Sequence, residues 1–199
     1  MTKRISSQQL GLAVGALVVL MAPSLAHAHV GVGDASGFFS GLAHPVIGLD
    51  HLCAMLAVGL WAAQRGGRAI WLVPVVFLAV MAVGGMLGMM AVAIPYVETG
   101  VVASILILGV MVAAAVRLPL AASVLIVGLL ALVHGHAHGS EMPATASGVL
   151  YGLGFMATTA VIQMCGIGAG LIARGYGALQ LIRYAGGAIV ACGMMMWLV

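Results

Sequence analysis

The stretch AIWLVPVVFLAVMAVGGMLGMMAV, residues 69–92, decides the fold of this chain. It is apolar throughout and contains no charged side chain. A helix of about 20 apolar residues is long enough to cross the hydrocarbon core of a bilayer. Because no water reaches the backbone there, a helix is needed to satisfy its N–H and C=O groups. The stretch therefore predicts a transmembrane helix.

The rest of the chain has the same apolar character. Of the 199 residues, 64% are hydrophobic and 6% are charged, and the mean hydropathy is +1.24, which is far from the values of soluble domains. Five further segments are long enough to cross a membrane, near residues 44–64, 98–116, 119–137, 146–173 and 178–198. Together with 69–92 they predict an all-α integral membrane protein, a bundle of six transmembrane helices.

Residues 1–28 have the pattern of a secretory signal peptide. Lys3 and Arg4 precede the apolar run 10–22, and the segment ends with small residues in PSLAHA, as signal-cleavage sites do. Cleavage is predicted after Ala28, which leaves residues 29–199 as a single six-helix transmembrane domain. The new first residue, His29, would then offer an amine and an imidazole that could chelate a metal ion.

The charged residues predict the orientation. If the mature N-terminus lies outside, every remaining arginine falls in or beside an inner loop, as the positive-inside rule demands: Arg65, Arg68, Arg117, Arg174 and Arg183. Three of the acids, Asp34, Glu98 and Glu141, then fall outside. The pattern predicts a multi-pass protein of a bacterial-type inner membrane, with both mature termini on the periplasmic side.

The composition also excludes two classes of function. Without Lys3 and Arg4 the chain has no lysine and its arginines nearly balance its acids, so no basic surface for nucleic acid is predicted. A Walker A loop needs a lysine to bind phosphate. The mature chain therefore contains no ATPase of that type.

The histidines are confined to a few places. Apart from His27 in the signal peptide, they comprise His29, a pair in the first predicted span and a trio at the outer end of the fourth, and the other spans have none. An imidazole or carboxylate inside a bilayer is costly unless it is paired or hydrated. These side chains are therefore candidates for a functional site.

The first cluster is HPVIGLDH, residues 44–51. His44 and His51 are seven residues apart and share a helix face, but about 10 Å separates them along a straight helix, so one ion is not expected to touch both. Pro45 suits a first helical turn, which predicts that the helix begins at His44, with Asp50 and His51 deeper. We interpret the cluster as two stations on an ion path, where Asp50 is either a ligand or the orienting partner of a histidine. A structural buried hydrogen bond is the alternative.

The second cluster is HGHAHGSE, residues 134–141. His134 and His138 are four residues apart and could bind one metal ion on a helix, with Glu141 one turn further along. The two glycines predict a loosened helix and hence a water-accessible collar. Imidazole and carboxylate suit nickel, cobalt, zinc or copper(II) better than magnesium or calcium. A solvated histidine-rich loop is the alternative.

The two clusters, as GLAHPVIGLDHLCAM (41–55) and HGHAHGSE (134–141), resemble the HupE/UreJ family of nickel and cobalt permeases over essentially the whole chain. The resemblance implies secondary or facilitated uptake of nickel(II) or cobalt(II). It implies a metal path through His44, Asp50, His51, His134, His138 and Glu141. His136 occupies a variable position within the second motif and is a weaker candidate. Gln163 stands where related sequences usually carry histidine, which weakens the implication of nickel over other ions.

Sulfur and amide side chains supply further candidates. Gln163, Met164 and Cys165 could line an inner exit, and sulfur ligands favour softer ions. Cys53 lies three residues after Asp50 on a similar face, so it is the cysteine to consider as a ligand. The other methionines are interpreted as packing residues.

The alternatives to a transporter are a membrane-embedded metal-dependent hydrolase and a metal-binding accessory or sensor protein. A hydrolase needs a zinc-bound water and a base, and no HExxH sequence is present. The chain is therefore predicted not to be an enzyme and to hold no prosthetic group. Its predicted partners are the transported metal ion and the lipid bilayer.

Overall fold

The computed structural model describes residues 34–142 and 146–198. Within these ranges the chain forms helices and no strands. There are seven: α1 (Asp34–Ile47), α2 (Leu49–Arg65), α3 (Ala69–Met89), α4 (Val97–Ala113), α5 (Leu120–Ser140), α6 (Gly148–Gly175) and α7 (Leu179–Leu198). The predicted signal peptide and His29 lie outside the described residues.

The helices fit a membrane protein. Four of them, α3, α5, α6 and α7, are long and apolar enough to cross a bilayer. The segment from Gly37 through α2 meets the same requirements as a pair of helices bent by 76°, and α4 is apolar but shorter, with 17 residues. The all-helical, membrane-type architecture agrees with the sequence, and six crossings remain a prediction.

The predicted start of the first span is wrong. A helix already runs through His44, and Pro45 lies inside its last turn rather than its first. That helix ends because Gly48 has an extended conformation (φ −71°, ψ 106°). The chain then turns sharply into α2. His44 and His51 therefore do not lie on one straight helix.

The predicted loosening of the second histidine cluster is also wrong. Helix α5 continues to Ser140, and its two glycines serve close packing. A Cβ at Gly135 would collide with the carbonyl oxygen of Met81 on α3, and one at Gly139 would collide with that of Gly85. Because the two backbones touch along this line, the last turns of α5 are held against α3.

The end of the bundle opposite the histidines is tied together by basic and polar side chains. Arg174 donates to the carbonyl of Ala63 (2.5 Å) and Arg183 to that of Ala113 (2.8 Å). Arg65 donates to the carbonyl of Leu118 in the α4–α5 loop. These arginines thus gather at one end, where Arg174 and Arg183 bind carbonyls in the last turns of α2 and α4, which favour cations.

Candidate metal-ion site

Three helix ends meet where the histidines lie. The last turn of α1 carries His44, the first turn of α2 carries Asp50 and His51, and the last turns of α5 carry His134 and His138. The bend at Gly48 folds α1 back from α2, which brings its end to α5. The structure thus joins the two sequence clusters, which are about 90 residues apart in the chain.

Two imidazoles and one carboxylate form the outer part of the site. His44 Nε2 lies 2.9 Å from His138 Nδ1, and Glu141 Oε2 lies 3.1 Å from each of these nitrogens. The three ligand atoms are all within 4.8 Å of one another. We call these residues the outer triad. Nitrogen and carboxylate donors at this spacing suit a borderline divalent transition-metal ion.

The outer triad connects the surface with the interior. The Glu141 side chain is 48% exposed, whereas that of His138 is 4% exposed. Hydrogen bonds with His138 and His44 hold the pKa of the Glu141 carboxyl well below its ordinary range. A negative charge therefore stands at the entrance, beside two nitrogen ligands.

Below the triad the site continues with the inner histidines, His51 and His134, which are both fully buried. The His138 ring centroid lies 4.8 Å from that of His51 and 6.1 Å from that of His134. The Nε2 atom of His138, which is not the nitrogen that contacts Glu141, lies 3.9 Å from Asp50 Oδ2. His138 therefore belongs to both parts of the site. The two predicted stations form one continuous column, because the bend at Gly48 brings His44 against His138.

Two hydroxyl groups orient the inner histidines. Thr159 Oγ1 on α6 lies 2.9 Å from His51 Nε2, and Ser104 Oγ on α4 lies 3.1 Å from His134 Nδ1. Ser104 donates its proton to the carbonyl of Val101 (2.6 Å), so its oxygen can only accept from His134. His134 Nδ1 must therefore carry the proton, which leaves a lone pair on Nε2.

Several buried ring nitrogens are free to bind an ion. Within the described part of the chain, His51 Nδ1, His134 Nε2 and His138 Nε2 have no hydrogen-bond partner. Buried polar atoms are nearly always paired, so three such nitrogens in one cluster are candidate ligand atoms.

An aromatic wall was not predicted from the sequence. Phe155 on α6 packs its ring 4.7 Å from His51, 5.4 Å from His138 and 5.8 Å from His44, measured between centroids. Tyr151 stacks on Phe155 (6.1 Å). Tyr151, Phe155 and Thr159 recur every four residues, so helical periodicity places them on one face, but nothing in the sequence indicates that this face meets the histidines.

The weaker candidates lie apart from the column. His136 donates from Nε2 to the carbonyl of Val92 in the α3–α4 loop (2.6 Å). Cys53 is buried in the apolar core. Gln163 is buried one turn beyond Thr159, whereas its neighbours Met164 and Cys165 are exposed on the outside of the bundle. Of the three residues suggested for an inner exit, Gln163 alone faces the interior.

The sequence matches known proteins over nearly its whole length. The family described as HupE / UreJ protein matches residues 17–196. Protein HupE of Rhizobium leguminosarum bv. viciae is 44% identical over 177 residues, which cover 89% of this chain and 92% of that relative. No solved structure matches. Proteins of the matched family are transporters or accessory proteins rather than enzymes, which confirms the prediction that the chain is not an enzyme.

Proposed function

Since the chain belongs to the HupE / UreJ family, we propose that it takes up nickel(II) or cobalt(II) through the histidine column. Membership supports a general role in the uptake of these metals. The observation that carries the specific proposal is the convergence of the outer triad with the inner histidines inside an apolar bundle. In this proposal the path comprises His44, Asp50, His51, His134, His138 and Glu141.

Capture takes place at the outer triad. A divalent ion that leaves water needs ligands and negative charge together, because an uncompensated charge in a low-dielectric interior is prohibitive. Glu141 supplies the charge at the exposed end, and His44 and His138 supply nitrogen ligands. The ion loses part of its hydration shell as these three side chains replace it.

Transfer inward runs through His138. Its Nδ1 faces Glu141, while its Nε2 faces Asp50. An ion that moves from Nδ1 to Nε2 of His138 would exchange the Glu141 carboxylate for that of Asp50, while the imidazole proton moves from Nε2 to Nδ1 so that a lone pair always faces the ion. His51 and His134 offer the next nitrogen ligands. Stepwise exchange of this kind keeps each bound state weak enough for the ion to move on.

The proposal includes the topology. The bent α1–α2 pair and α4 would each cross the membrane, which makes six crossings with α3, α5, α6 and α7. Residues 1–28 would be removed as a signal peptide. The histidine end would then face the periplasm and the arginine end the cytoplasm of a bacterial-type cell, as the positive-inside rule requires. In this proposal transport is secondary or facilitated, and the lack of any lysine after residue 28 leaves no Walker A loop within the mature chain.

The proposal is tested by uptake of labelled nickel and cobalt in cells that lack other transporters for these ions. The full chain should increase accumulation of at least one ion without an added ATP-binding partner. Purified protein in liposomes separates transport from binding, because only a transporter moves the ion into the lumen. Binding without flux in liposomes would indicate an accessory or sensor protein and would contradict the proposal.

Asp50→Asn is the decisive variant. It nearly keeps the shape of the side chain but removes the negative charge near His138. We expect near-complete loss of uptake at normal membrane abundance. Glu141→Gln, at the exposed end, should mainly raise the metal concentration for half-maximal uptake. An Asp50→Asn protein with wild-type rates would remove Asp50 from the path.

A further inference from the structure

We propose that Met55 and Gln163 form a deeper ion position, which selects among the ions that the outer triad admits. This inference rests on the proposed function and extends it toward the arginine end. We call these two residues the sulfur–amide pair. The position would offer a thioether sulfur and an amide oxygen, both neutral, after the imidazole and carboxylate ligands above it.

The pair continues the contact between α2 and α6. Met55 follows His51 by four residues on α2, and Gln163 follows Thr159 by four on α6. His51 Nε2 and Thr159 Oγ1 are 2.9 Å apart, and Gln163 donates from Nε2 to Met55 Sδ at 3.5 Å. The two cross-helix contacts are therefore about one helical turn apart, roughly 5.4 Å. An ion released by His51 would meet the sulfur–amide pair next.

The amide oxygen of Gln163 is available for an ion. The side chain is 1% exposed, and no partner for its Oε1 exists among the residues that the structure describes. A buried acceptor without a donor is unfavourable. Because Nε2 already donates to Met55, Oε1 and the sulfur lie on the same amide–thioether unit. Rotation of the amide would bring Oε1 into the place of Nε2 beside the sulfur, so that a cation replacing this hydrogen bond could contact both the oxygen and the sulfur.

The bundle closes directly beyond this position. A Cβ at Gly59 would collide with the carbonyl oxygen of Gln163, and one at Gly166 would approach that of Leu56 to 2.7 Å. The α2 and α6 backbones thus touch, and the next strongly polar side chain on α2 is Gln64. The sulfur–amide pair is therefore the last position before a closed backbone contact, where an ion would wait for the inner side to open.

The ligand chemistry predicts selection. Thioether sulfur favours softer ions, whereas manganese and magnesium prefer oxygen ligands. Neutral donors also hold a dication less tightly than carboxylate, which permits release. Nickel or cobalt would be stabilised at the sulfur–amide pair relative to manganese, whereas capture at the outer triad is unaffected by these residues.

The test compares the kinetics of nickel uptake by full-length Met55→Leu and Gln163→Leu proteins. Both substitutions nearly conserve volume. We expect a severalfold lower maximal rate, an unchanged half-saturating concentration, and stronger inhibition of nickel uptake by manganese. The double variant should have a maximal rate only slightly below that of the more impaired single variant, because the two side chains act together. Met164→Leu and Cys165→Ser, on the exposed side of α6, are the matched controls and should match wild type.

The outcomes separate this inference from the proposed function. If wild type accumulates nickel and both variants show wild-type rates and wild-type manganese inhibition, the inference that the sulfur–amide pair binds the ion is wrong. The proposed uptake function would then still stand. If a variant does not reach the membrane, the inference is tested instead by X-ray absorption spectroscopy of wild-type protein loaded with excess nickel. A sulfur atom in the nickel coordination shell supports the inference, and a shell of nitrogen and oxygen alone overturns it.

Discussion

His138 is the residue on which the site depends. Among the histidines that the structure describes, it alone contacts His44 and Glu141 on one side and lies near Asp50 and His51 on the other. His136, two residues earlier on the same helix, points away and donates to the carbonyl of Val92. Two nearly buried histidines of α5 thus differ only in the direction of their side chains.

His138→Ala should abolish uptake, because it removes the ligand shared by both halves of the column. His136→Ala should retain most of the transport rate, since it removes only a hydrogen bond to a loop. Initial rates of labelled nickel uptake, normalised to protein in the membrane, make the comparison. Equal losses in the two variants would show that the histidines act through the stability of α5 rather than as ligands.

Thr159 provides a second test at this scale. Groups that orient a metal-binding histidine typically change metal affinity by about 10- to 100-fold when removed. Thr159→Val removes the hydroxyl that contacts His51 and should weaken metal binding to about this extent. The control is Thr158→Val, because Thr158 donates to the carbonyl of Leu42 on α1 and not to a histidine. Calorimetric titration of the purified proteins with nickel measures the difference, and equal affinities for the two variants would contradict an orienting role for Thr159.

At the scale of helices, two backbone features create the site. The bend at Gly48 places the end of α1 against α5, and the glycines of α5 allow its last turns to lie on α3. Gly48 itself has φ −71°, which other residues can adopt. A Cβ there would come within 2.8 Å of Asp50 Oδ1. A side chain at position 48 would therefore displace the Asp50 carboxylate from its place in the site.

Gly135→Ala should destabilise the protein, because its methyl group would meet the Met81 carbonyl. Overpacking typically costs about 1–3 kcal/mol, and backbone neighbours cannot move aside as flexible side chains do. Gly152→Ala is the control: open space surrounds that position, and alanine favours a helix by about 0.5–1 kcal/mol. Thermal unfolding in detergent should therefore shift in opposite directions, and a Gly135→Ala protein as stable as wild type would contradict the close α3–α5 contact.

At the scale of the whole molecule, the positively charged arginines and the candidate metal ligands lie at opposite ends. Arg65, Arg174 and Arg183 donate to backbone carbonyls at one end, while Glu141 and the histidines of the site occupy the other. This separation suits a transporter that captures cations from outside, because positive charge near the entrance would repel them.

The proposed orientation can be read by labelling single cysteines with an impermeant maleimide in intact cells. Ala93→Cys, in the exposed loop between α3 and α4, should react from outside. Tyr176→Cys, in the exposed turn between α6 and α7, should react only after the membrane is permeabilised. The native cysteines are first replaced by serine. Reversed labelling would place the histidines in the cytoplasm and contradict uptake from the periplasm.

The amino-acid sequence by itself determined the membrane character, most of the helices and the residues that converge at the site. These are properties of local composition: a long apolar run needs a bilayer, and a buried imidazole or carboxylate needs a partner or a ligand. The arginine pattern likewise follows from charge along the chain. For this reason His44, Asp50, His51 and Glu141 could be named as candidates from their positions alone.

The tertiary structure alone decided how these residues meet. The column is continuous because α1 and α2 bend at Gly48, and the second cluster is a buried helix because Gly135 and Gly139 touch α3. Phe155, Thr159 and Ser104 join it from α6 and α4. Such contacts depend on the angles and distances between helices, which apolar periodicity does not specify in a bundle whose helices are apolar on nearly every face.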